Sequence, residues 1–438
     1  MMVNIQHINT LAAIFLLMGL QSGLAQDAAV PWTLDRCLDA ALTNSPQLEA
    51  GARRAAAAQA DAAEASAARF GSLGATGAFS YISETMSLNL KLPIPGLTLP
   101  QIQFGDGRNY DLALVAQAPI YTGGALTERL RAARSGSESV ELDQASDSAA
   151  VRYQLRRAFY VALAAQVKVE TATAGVERMQ RHLSELEHAR QVGAASVEAL
   201  ITLQTGLRQA ESALIAAKSE ARAARLSLGN LVGCSGAEIQ PDGDLEQSAL
   251  TSAPDVAAWQ NRSELKAFDA RIAQAQHLSA VIRGSYYPTL SALAAYHYAR
   301  PGINTVANEW MDYAVAGVNL TWTLWDFRSR QLRVEKSTAA ARALEANRRQ
   351  VQDALHTQSA ATRSQLESAA EALGKARERV ELQRQRLDLI EGRYRQGMAT
   401  ESELLDGEDD LRNTELDLAR AQAAQRMAEV DLLYASGQ

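Results

Sequence analysis

The sequence contains the same pattern twice. Residues 44–50 align with residues 261–267 at an offset of 217, and further along the offset is 204, so that Gly193 matches Gly397 and Tyr121 matches Trp325. The offset changes by thirteen residues, which places one insertion in the first copy, between residues 82 and 110. Self-similarity at this spacing indicates a duplicated architecture with one elongated loop. We predict a first repeat at 26–230, an inter-repeat segment at 231–258 in an equatorial position, and a second repeat at 259–438.

Each copy also carries a seven-residue hydrophobic period. In the second copy it runs through Leu366, Leu373, Val380, Leu387 and Tyr394. Apolar residues at this spacing, with charged residues between them, are typical of helices that pack side by side in a coiled coil. The first such helix is predicted to run from about Leu126 to Val192, a length of about 100 Å at 1.5 Å per residue. Glycine permits the left-handed conformation that ends a helix, so each copy is predicted to form a long helical hairpin with its tip at Gly193 or Gly397.

Four shorter segments alternate between apolar and polar residues. They are Leu73–Ile82, Tyr110–Tyr121, Leu290–Ala299 and Tyr313–Trp325. Each is near the length that a tilted strand needs to cross a bilayer. We predict two β-hairpins, at about 72–121 and at about 288–325.

Aromatic residues mark one end of each predicted strand. They are Phe70, Tyr121, Tyr287 and Trp325. Rings at one level suit a membrane–water interface. A soluble hairpin with aromatic edges remains the alternative interpretation.

Four strands cannot close a barrel, and open strand edges are not tolerated in lipid. Several chains are therefore needed to complete a barrel. Three copies would supply twelve strands, an even number within the known range. The predicted fold class is a mixed α/β membrane protein, with a transmembrane β-barrel continued by a long α-helical coiled-coil barrel.

The N-terminus resembles a secretory signal. A short apolar run from Leu11 to Leu20 precedes Gly23-Leu24-Ala25, which has small residues at both cleavage positions, so residues 1–25 are predicted to be removed. No Lys or Arg precedes the apolar run, which leaves a buried N-terminal helix as the alternative. The exported chain keeps two cysteines, Cys37 and Cys234, which either pair or remain free thiols.

The chain resembles the TolC family of outer-membrane efflux proteins. Three stretches carry the resemblance, in order: residues 33–46 (TLDRCLDAALTNSP), residues 117–124 (QAPIYTGG) and residues 394–406 (YRQGMATESELLD). The family implies a homotrimer in the Gram-negative outer membrane that extends into the periplasm. It also implies docking to a periplasmic adaptor protein and an inner-membrane pump, for tripartite efflux or type I secretion. One departure lies at residues 324–328 (LWDFR), where the family usually has a glycine pair.

The resemblance also implies a gate at the periplasmic tips. Glu403 and Asp406 match acidic residues that narrow the periplasmic mouth and attract cations. A basic residue that locks some family members is replaced here by Ala399, so Arg393 or Arg395 is the candidate substitute, and Tyr394 matches a position involved in closing contacts. The adaptor-docking tips are predicted at Val192, Gly193, Ala194, Gln396, Gly397 and Met398. The plain alternative for the acids is a solvated helix face, for Tyr394 core packing, and for the tips a tight turn.

Other functional classes find little support in the sequence. It has 43 basic and 50 acidic residues, interspersed, so nucleic acid is not an expected partner. The six histidines are scattered, His182 and His188 lack metal-binding helical spacing, and no nucleophile motif or phosphate-binding loop is present. We therefore expect a passive export duct without cofactor, metal or enzymatic activity. The alternative is a structural coiled-coil protein of the periplasm or cell surface that has no pore.

Overall fold

The structure is a computed structural model. It describes residues 31–85, 87–88, 102–103, 106–192, 196–248, 250, 258–306 and 308–437. The predicted signal peptide at 1–25 lies outside these residues, as do Gly193 and Ala194 of the first tip.

The first copy begins with two helices, α1 (Leu34–Asn44) and α2 (Pro46–Ala67), followed by strand β1 (Ser72–Tyr81). The insertion holds two short strands, β2 (Ser87–Leu88) and β3 (Ile102–Gln103), where the sequence predicts only a loop. Strand β4 (Arg108–Tyr121) then leads into the helices α3 (Ala125–Gln191) and α4 (Val197–Val232).

The second copy repeats this order. A short 3₁₀ helix (Ala258–Asn261) precedes α5 (Ser263–Gly284), strands β5 (Thr289–Arg300) and β6 (Met311–Thr321), and helices α6 (Ser329–Arg395) and α7 (Glu401–Ala435). The long helices α3 and α6 both have 67 residues. The predicted fold, with four strands and two long helical hairpins in two structural repeats, is confirmed.

The four long strands form one antiparallel sheet in the order β1-β4-β5-β6. The two copies therefore join through β4 and β5, where Leu112 pairs with Tyr298. Strands β1 and β6 lie at the two edges. Within the part of the chain that the structure describes, neither edge has a further strand beside it.

The sheet has two chemically different faces. We call one the apolar face; large exposed side chains occupy it, among them Leu114 (55% exposed) and Leu320 (63% exposed). The opposite face, the polar face, carries mostly small or polar residues, such as Ser72, Gln117 and Asn319, which stand at alternate positions of the same ladders. This is the alternation expected of strands with lipid on one side and water on the other.

The fourth strand ends earlier than the sequence predicts. It pairs only as far as Thr321, opposite Thr289, whereas the predicted strand reaches Trp325. The next position of β5 is Pro288, which has no N–H to donate to the ladder. Trp322 instead donates its indole Nε1–H to the carbonyl oxygen of Tyr286, 3.2 Å away.

Helices α1, α3, α4 and α7 pack around the largest hydrophobic cluster, which includes the fully buried Leu155, Leu228 and Val232. Both cysteines lie at this cluster, and both are free thiols in the structure, Cys37 buried and Cys234 half-buried. Burial raises the pKa of the Cys37 thiol to about 11, although the charge of Arg36 opposes the rise. Among the described helices, none combines the length and the apolar character that crossing a membrane requires.

The two strand-to-helix corners share one backbone conformation despite different residues. The first corner uses Gly123 (φ +61°) and Gly124 (φ +81°), and the second has Phe327 (φ +51°) and Arg328 (φ +70°) at the matching positions. The left-handed region costs an L-residue roughly 1–2 kcal/mol, so the second corner needs compensation. Asp326 supplies it, since its Oδ2 accepts hydrogen bonds from both the backbone N–H and the Nε–H of Arg330, at 2.9 Å each.

Replacing Gly123 by alanine is expected to destabilise the first corner by about 2 kcal/mol or more. A Cβ at Gly123 would lie 2.4 Å from the carbonyl oxygen of Gly284 and 2.9 Å from Cβ of Tyr287. Thermal unfolding followed by circular dichroism measures the loss. The control is Gly124→Arg, which reproduces the residue of the second corner at a position where nothing lies within 4 Å. Equal losses in the two variants would contradict the role of this close approach.

Candidate gate at the helical tips

The tip of the second hairpin is a tight turn between α6 and α7. Gly397 adopts φ +72°, and its N–H donates to the carbonyl oxygen of Tyr394 at 2.9 Å. The N–H of Met398 donates to the carbonyl oxygen of Arg393 at 2.8 Å, which completes a glycine-centred helix end. Met398 is 60% exposed, and Val192, the last described residue before the first tip, is 81% exposed. Both tips therefore present apolar side chains to solvent.

Glu403 holds the start of α7. Its Oε2 accepts from the backbone N–H of Thr400 at 2.9 Å, while its own N–H donates to Thr400 Oγ1 at 3.3 Å, which is a capping box. Its Oε1 lies 3.7 Å from Nη2 of Arg393 across the turn. Both oxygens of the Glu403 carboxylate therefore have local partners. The spacing of the acids alone does not predict these contacts. The Thr400-x-x-Glu403 pattern, however, is a recognisable capping signature.

Asp406 differs from Glu403 in having an open environment. Asp406 is exposed, and no hydrogen bond or ion pair joins its side chain to another described residue. In the first hairpin the matching positions are Ala199, which is buried, and Thr202, whose hydroxyl donates to the carbonyl oxygen of Glu198. Only the second hairpin therefore presents these acids.

The other residues that the resemblance places at the gate have clear local contacts. Tyr394 packs against the cluster of Leu387, Leu404 and Leu411 between α6 and α7. Burial raises the pKa of its phenol, and the carboxylates of Glu401 and Glu185 add to the rise. Arg395 pairs with Glu391 on the same helix at 3.2 Å. Of the two candidate basic residues, Arg393 is the one that contacts a gate acid.

A buried carboxylate joins the two hairpins just above the tips. Glu408 of α7 is 2% exposed, and its Oε2 accepts from Arg178 Nε of α3 at 2.6 Å. Its Oε1 lies 3.0 Å from His182 Nε2, also on α3. We call these three residues the interhairpin cluster. Glu415 lies at its margin, with Oε2 4.0 Å from Arg178 Nη2.

The interhairpin cluster keeps Glu408 ionised. Burial by itself would raise the pKa of this carboxyl, but the hydrogen bonds from His182 and Arg178 and the charge of Arg178 outweigh it and hold the pKa below its ordinary value. The close approach of the hairpins fits this link, because a Cβ at Gly206 of α4 would lie only 2.9 Å from Cδ2 of Leu405 in α7. The cluster is not predictable from sequence periodicity, since Glu408 and Arg178 are 230 residues apart.

The same region contains a potential metal-ligand set. One ligand atom each from His182, Glu391 and Glu408 lies within 4.8 Å of the others. The guanidinium of Arg178 is already paired with the Glu408 carboxylate. The positive charge of Arg178 would repel a metal cation bound beside it. The arrangement therefore favours an ion-pair link over a metal centre.

Aromatic residues mark both ends of the sheet. The four that the sequence predicts at the helical end are all exposed: Phe70, Tyr121, Tyr287 and Trp325. A second aromatic group lies at the other end of the apolar face. The ring centroids of Tyr110 and Phe79 are 5.0 Å apart, and those of Trp310 and Tyr298 are 4.8 Å apart. The sequence does not predict this second group, because its members come together only when the strands pair. Two aromatic levels with an apolar band between them are typical of a β-barrel in a membrane.

These features define a membrane channel in which a strand region continues into a long helical region. The family model for outer membrane efflux proteins matches residues 37–234 and 256–438. The chain belongs to this family. No curated protein matches the sequence significantly.

Solved structures of similar proteins have the same fold. CusC is 18% identical with a TM-score of 0.78, and the match covers 92% of each chain. VceC of Vibrio cholerae is 18% identical with a TM-score of 0.75, covering 92% of this chain and 96% of its own. The open state of MtrE of Neisseria gonorrhoeae is 14% identical with a TM-score of 0.77, covering 92% and 88%.

Membership of the family settles the main functional class. The chain is an outer-membrane efflux channel that extends into the periplasm. The family match and the sheet with its two aromatic levels do not support the alternative, a coiled-coil protein without a pore.

Proposed function

We propose that three copies of the chain assemble into one passive duct, which an adaptor protein and an inner-membrane pump load from the periplasm. The open edges of the sheet carry the proposal. Strands β1 and β6 leave rows of backbone groups without partners among the described strands, and lipid does not tolerate such edges. An even number of antiparallel strands lets β6 of one copy pair with β1 of the next in the same alternating sense. Three copies give twelve strands in one closed barrel.

The purified protein in detergent is therefore expected to be a trimer by light scattering and to form ion-conducting channels in a planar bilayer. Closing the barrel removes both edges of every copy, so assembly and strand content are linked. A monodisperse monomer that retains its full β content by circular dichroism would overturn the barrel.

The tips are proposed to form the gate and the docking surface. Assembly multiplies each tip by three, so Asp406 and Glu403 supply six carboxylates around the periplasmic mouth. Arg393 limits how much of the Glu403 charge faces the opening, since its guanidinium lies 3.7 Å from that carboxylate. Exposed Val192 and Met398 form a small apolar surface on which the helical end of an adaptor can pack. Gly193, Ala194, Gln396 and Gly397 complete this proposed docking surface.

The duct is proposed to work without chemistry of its own. Pump and adaptor supply the driving force, while the chain supplies a path across the periplasm and the outer membrane. Its selectivity then comes from charges that line the path rather than from a binding pocket. The acids of the periplasmic mouth are one such element.

A further inference from the structure

The polar face of the sheet carries a second charged element, far from the tips. Five residues of the four long strands have acidic, basic or imidazole side chains: Arg108, Asp111, His297, Arg300 and Asp312. The strand register assigns each of these five residues to one face of the sheet. Tyr81 pairs with Arg108, and Tyr298 pairs with Asp312, positions that belong to the apolar face, and Arg300 pairs with Tyr110 on that face as well. Asp111 and His297 alone among these five stand on the polar face.

Asp111 and His297 are in direct contact. Asp111 Oδ1 lies 2.9 Å from His297 Nδ1, across the β4–β5 ladder. The imidazole also stacks on the ring of Tyr313 from β6, with centroids 4.9 Å apart and planes 6° from parallel. Asp111 from β4 and Tyr313 from β6 are the ionisable groups that face His297 from the strands beside it. Three neighbouring strands therefore hold the imidazole in one position.

The pair lies near the outer end of the sheet. Asp111 follows Tyr110, a member of the second aromatic group on the apolar face, and is the fourth residue of its strand. The remaining polar-face positions toward the helices are uncharged, for example Thr76, Ala113, Gln117 and Asn319. Nothing charged on the described strands therefore competes with Asp111 and His297 in setting the potential of the barrel interior.

We propose that Asp111 and His297 form a charge-selective ring at the outer exit of the barrel, and that the pH outside the cell sets its charge. The proposal rests on the trimeric barrel, which turns one pair into three. With neutral imidazoles the ring carries the charge of three carboxylates and favours cations. Protonated imidazoles cancel that charge and remove the preference. Among side chains, histidine is the one suited to sensing the pH of an external medium.

The test uses the trimer in planar bilayers under a potassium chloride gradient. Added from one side, it inserts by its barrel, because the charged helical region does not cross lipid, and the outer exit then faces the opposite chamber. The pH of that chamber is changed from 8 to 5.5 while the helical side stays at pH 7.5. The cation-to-anion permeability ratio of the wild type is expected to fall at least about twofold.

Variants separate this ring from other charges. His297→Gln is expected to remove the response to external pH, and Asp111→Asn is expected to lower the cation preference at external pH 8. Asp312→Asn is the matched control, since it removes a carboxylate near the same level on the apolar face, where it accepts from Tyr296. It is expected to leave both properties unchanged. The periplasmic double variant Glu403→Gln/Asp406→Asn is expected to keep the response to external pH.

A wild-type permeability ratio that does not change between external pH 8 and 5.5 would overturn the proposal, as would a His297→Gln variant that still responds. These results require a working channel. Absence of any conductance, together with a monomer in detergent, would instead contradict the trimeric duct, so the two failures are distinguishable.

Discussion

Replacing Glu408 by alanine is expected to separate the two hairpins of each subunit near the periplasmic tips. The change leaves Arg178, which is 17% exposed, and His182 without the carboxylate that joins them to α7. Breaking a buried ion pair by removing one partner costs about 3–5 kcal/mol, and the more distant Glu415 recovers only part of it. Thermal unfolding and the trypsin sensitivity of α7 measure the loss. Because this link sets the distance between α7 and α3, single-channel currents are expected to become larger and more variable.

The double variant Arg178→Met/Glu408→Met is the matched control for this prediction. It removes both charges and fills their volume with apolar side chains, a replacement that is often neutral in buried positions. It is expected to recover most of the stability that Glu408→Ala loses. If the double variant is as unstable as the single one, the ion pair is not what joins the hairpins.

The direction of the Glu408 pKa shift determines how the stability of this link depends on pH. The folded protein holds the pKa of Glu408 below its ordinary value of 4.5, so the carboxylate contributes stability above that value and loses it as the pH falls through the lowered pKa. The Glu408 contribution is therefore fully present at pH 7 and still present at pH 5. The difference in unfolding free energy between the wild type and Glu408→Ala should therefore decrease only below about pH 4.5.

The proposed gate predicts that replacing Asp406 by asparagine removes most of the cation preference at the periplasmic mouth. Its carboxylate is exposed and bonds to no other described residue, so its full charge faces water. The permeability ratio should fall at least about threefold, corresponding to about one kT of local potential. Block by multivalent cations from the helical side should weaken with it. Salt should diminish both effects, because the Debye length is about 8 Å at physiological ionic strength.

Glu403→Gln tests whether the two acids of the mouth are equivalent. It is expected to change selectivity less than Asp406→Asn, because Arg393 and the Thr400 cap already engage the Glu403 carboxylate. It should leave the capping box in place, because a glutamine side chain also accepts from the Thr400 N–H, and cost only about 0.5 kcal/mol through loss of the exposed Arg393 ion pair. Glu198 in the first hairpin serves as the control for an acid at a helix start that the mouth does not use. A selectivity change in Glu198→Gln as large as in Asp406→Asn would show that the acids act only through general surface charge.

The long helices could be predicted closely because heptad spacing is a local signal that extends over many turns. The predicted span from Leu126 to Val192 differs by one residue at each end from the observed Ala125–Gln191. The strand prediction was less accurate at β6, where the alternation of Trp322 and Leu324 continues past the last paired residue. Alternation records which side of the chain is apolar, whereas the end of a strand depends on the partner, here Pro288.

The contacts of the candidate gate were less predictable from the sequence. Glu408 stands between Leu404 and Leu411 of the buried seam, and an acid there was a signal that its carboxylate points inward. No periodicity identifies Arg178 and His182 as its partners, because they lie on another helix. The partnership of Asp111 and His297 is unpredictable for the same reason. The two residues are 186 positions apart, and only the register of β4 with β5 brings them together.

The equal lengths of α3 and α6 have a consequence for partner stoichiometry. Helices of 67 residues that start from matching corners extend equally far from the sheet, so in the proposed trimer the six long helices would end near one level. Their chemistry alternates, because Asp406 follows one tip of each chain and Thr202 stands at the matching place after the other. A ring of six identical docking helices would therefore meet Asp406 after three of the tips and Thr202 after the other three. Docking to the proposed trimer would then have threefold rather than sixfold symmetry in its electrostatics.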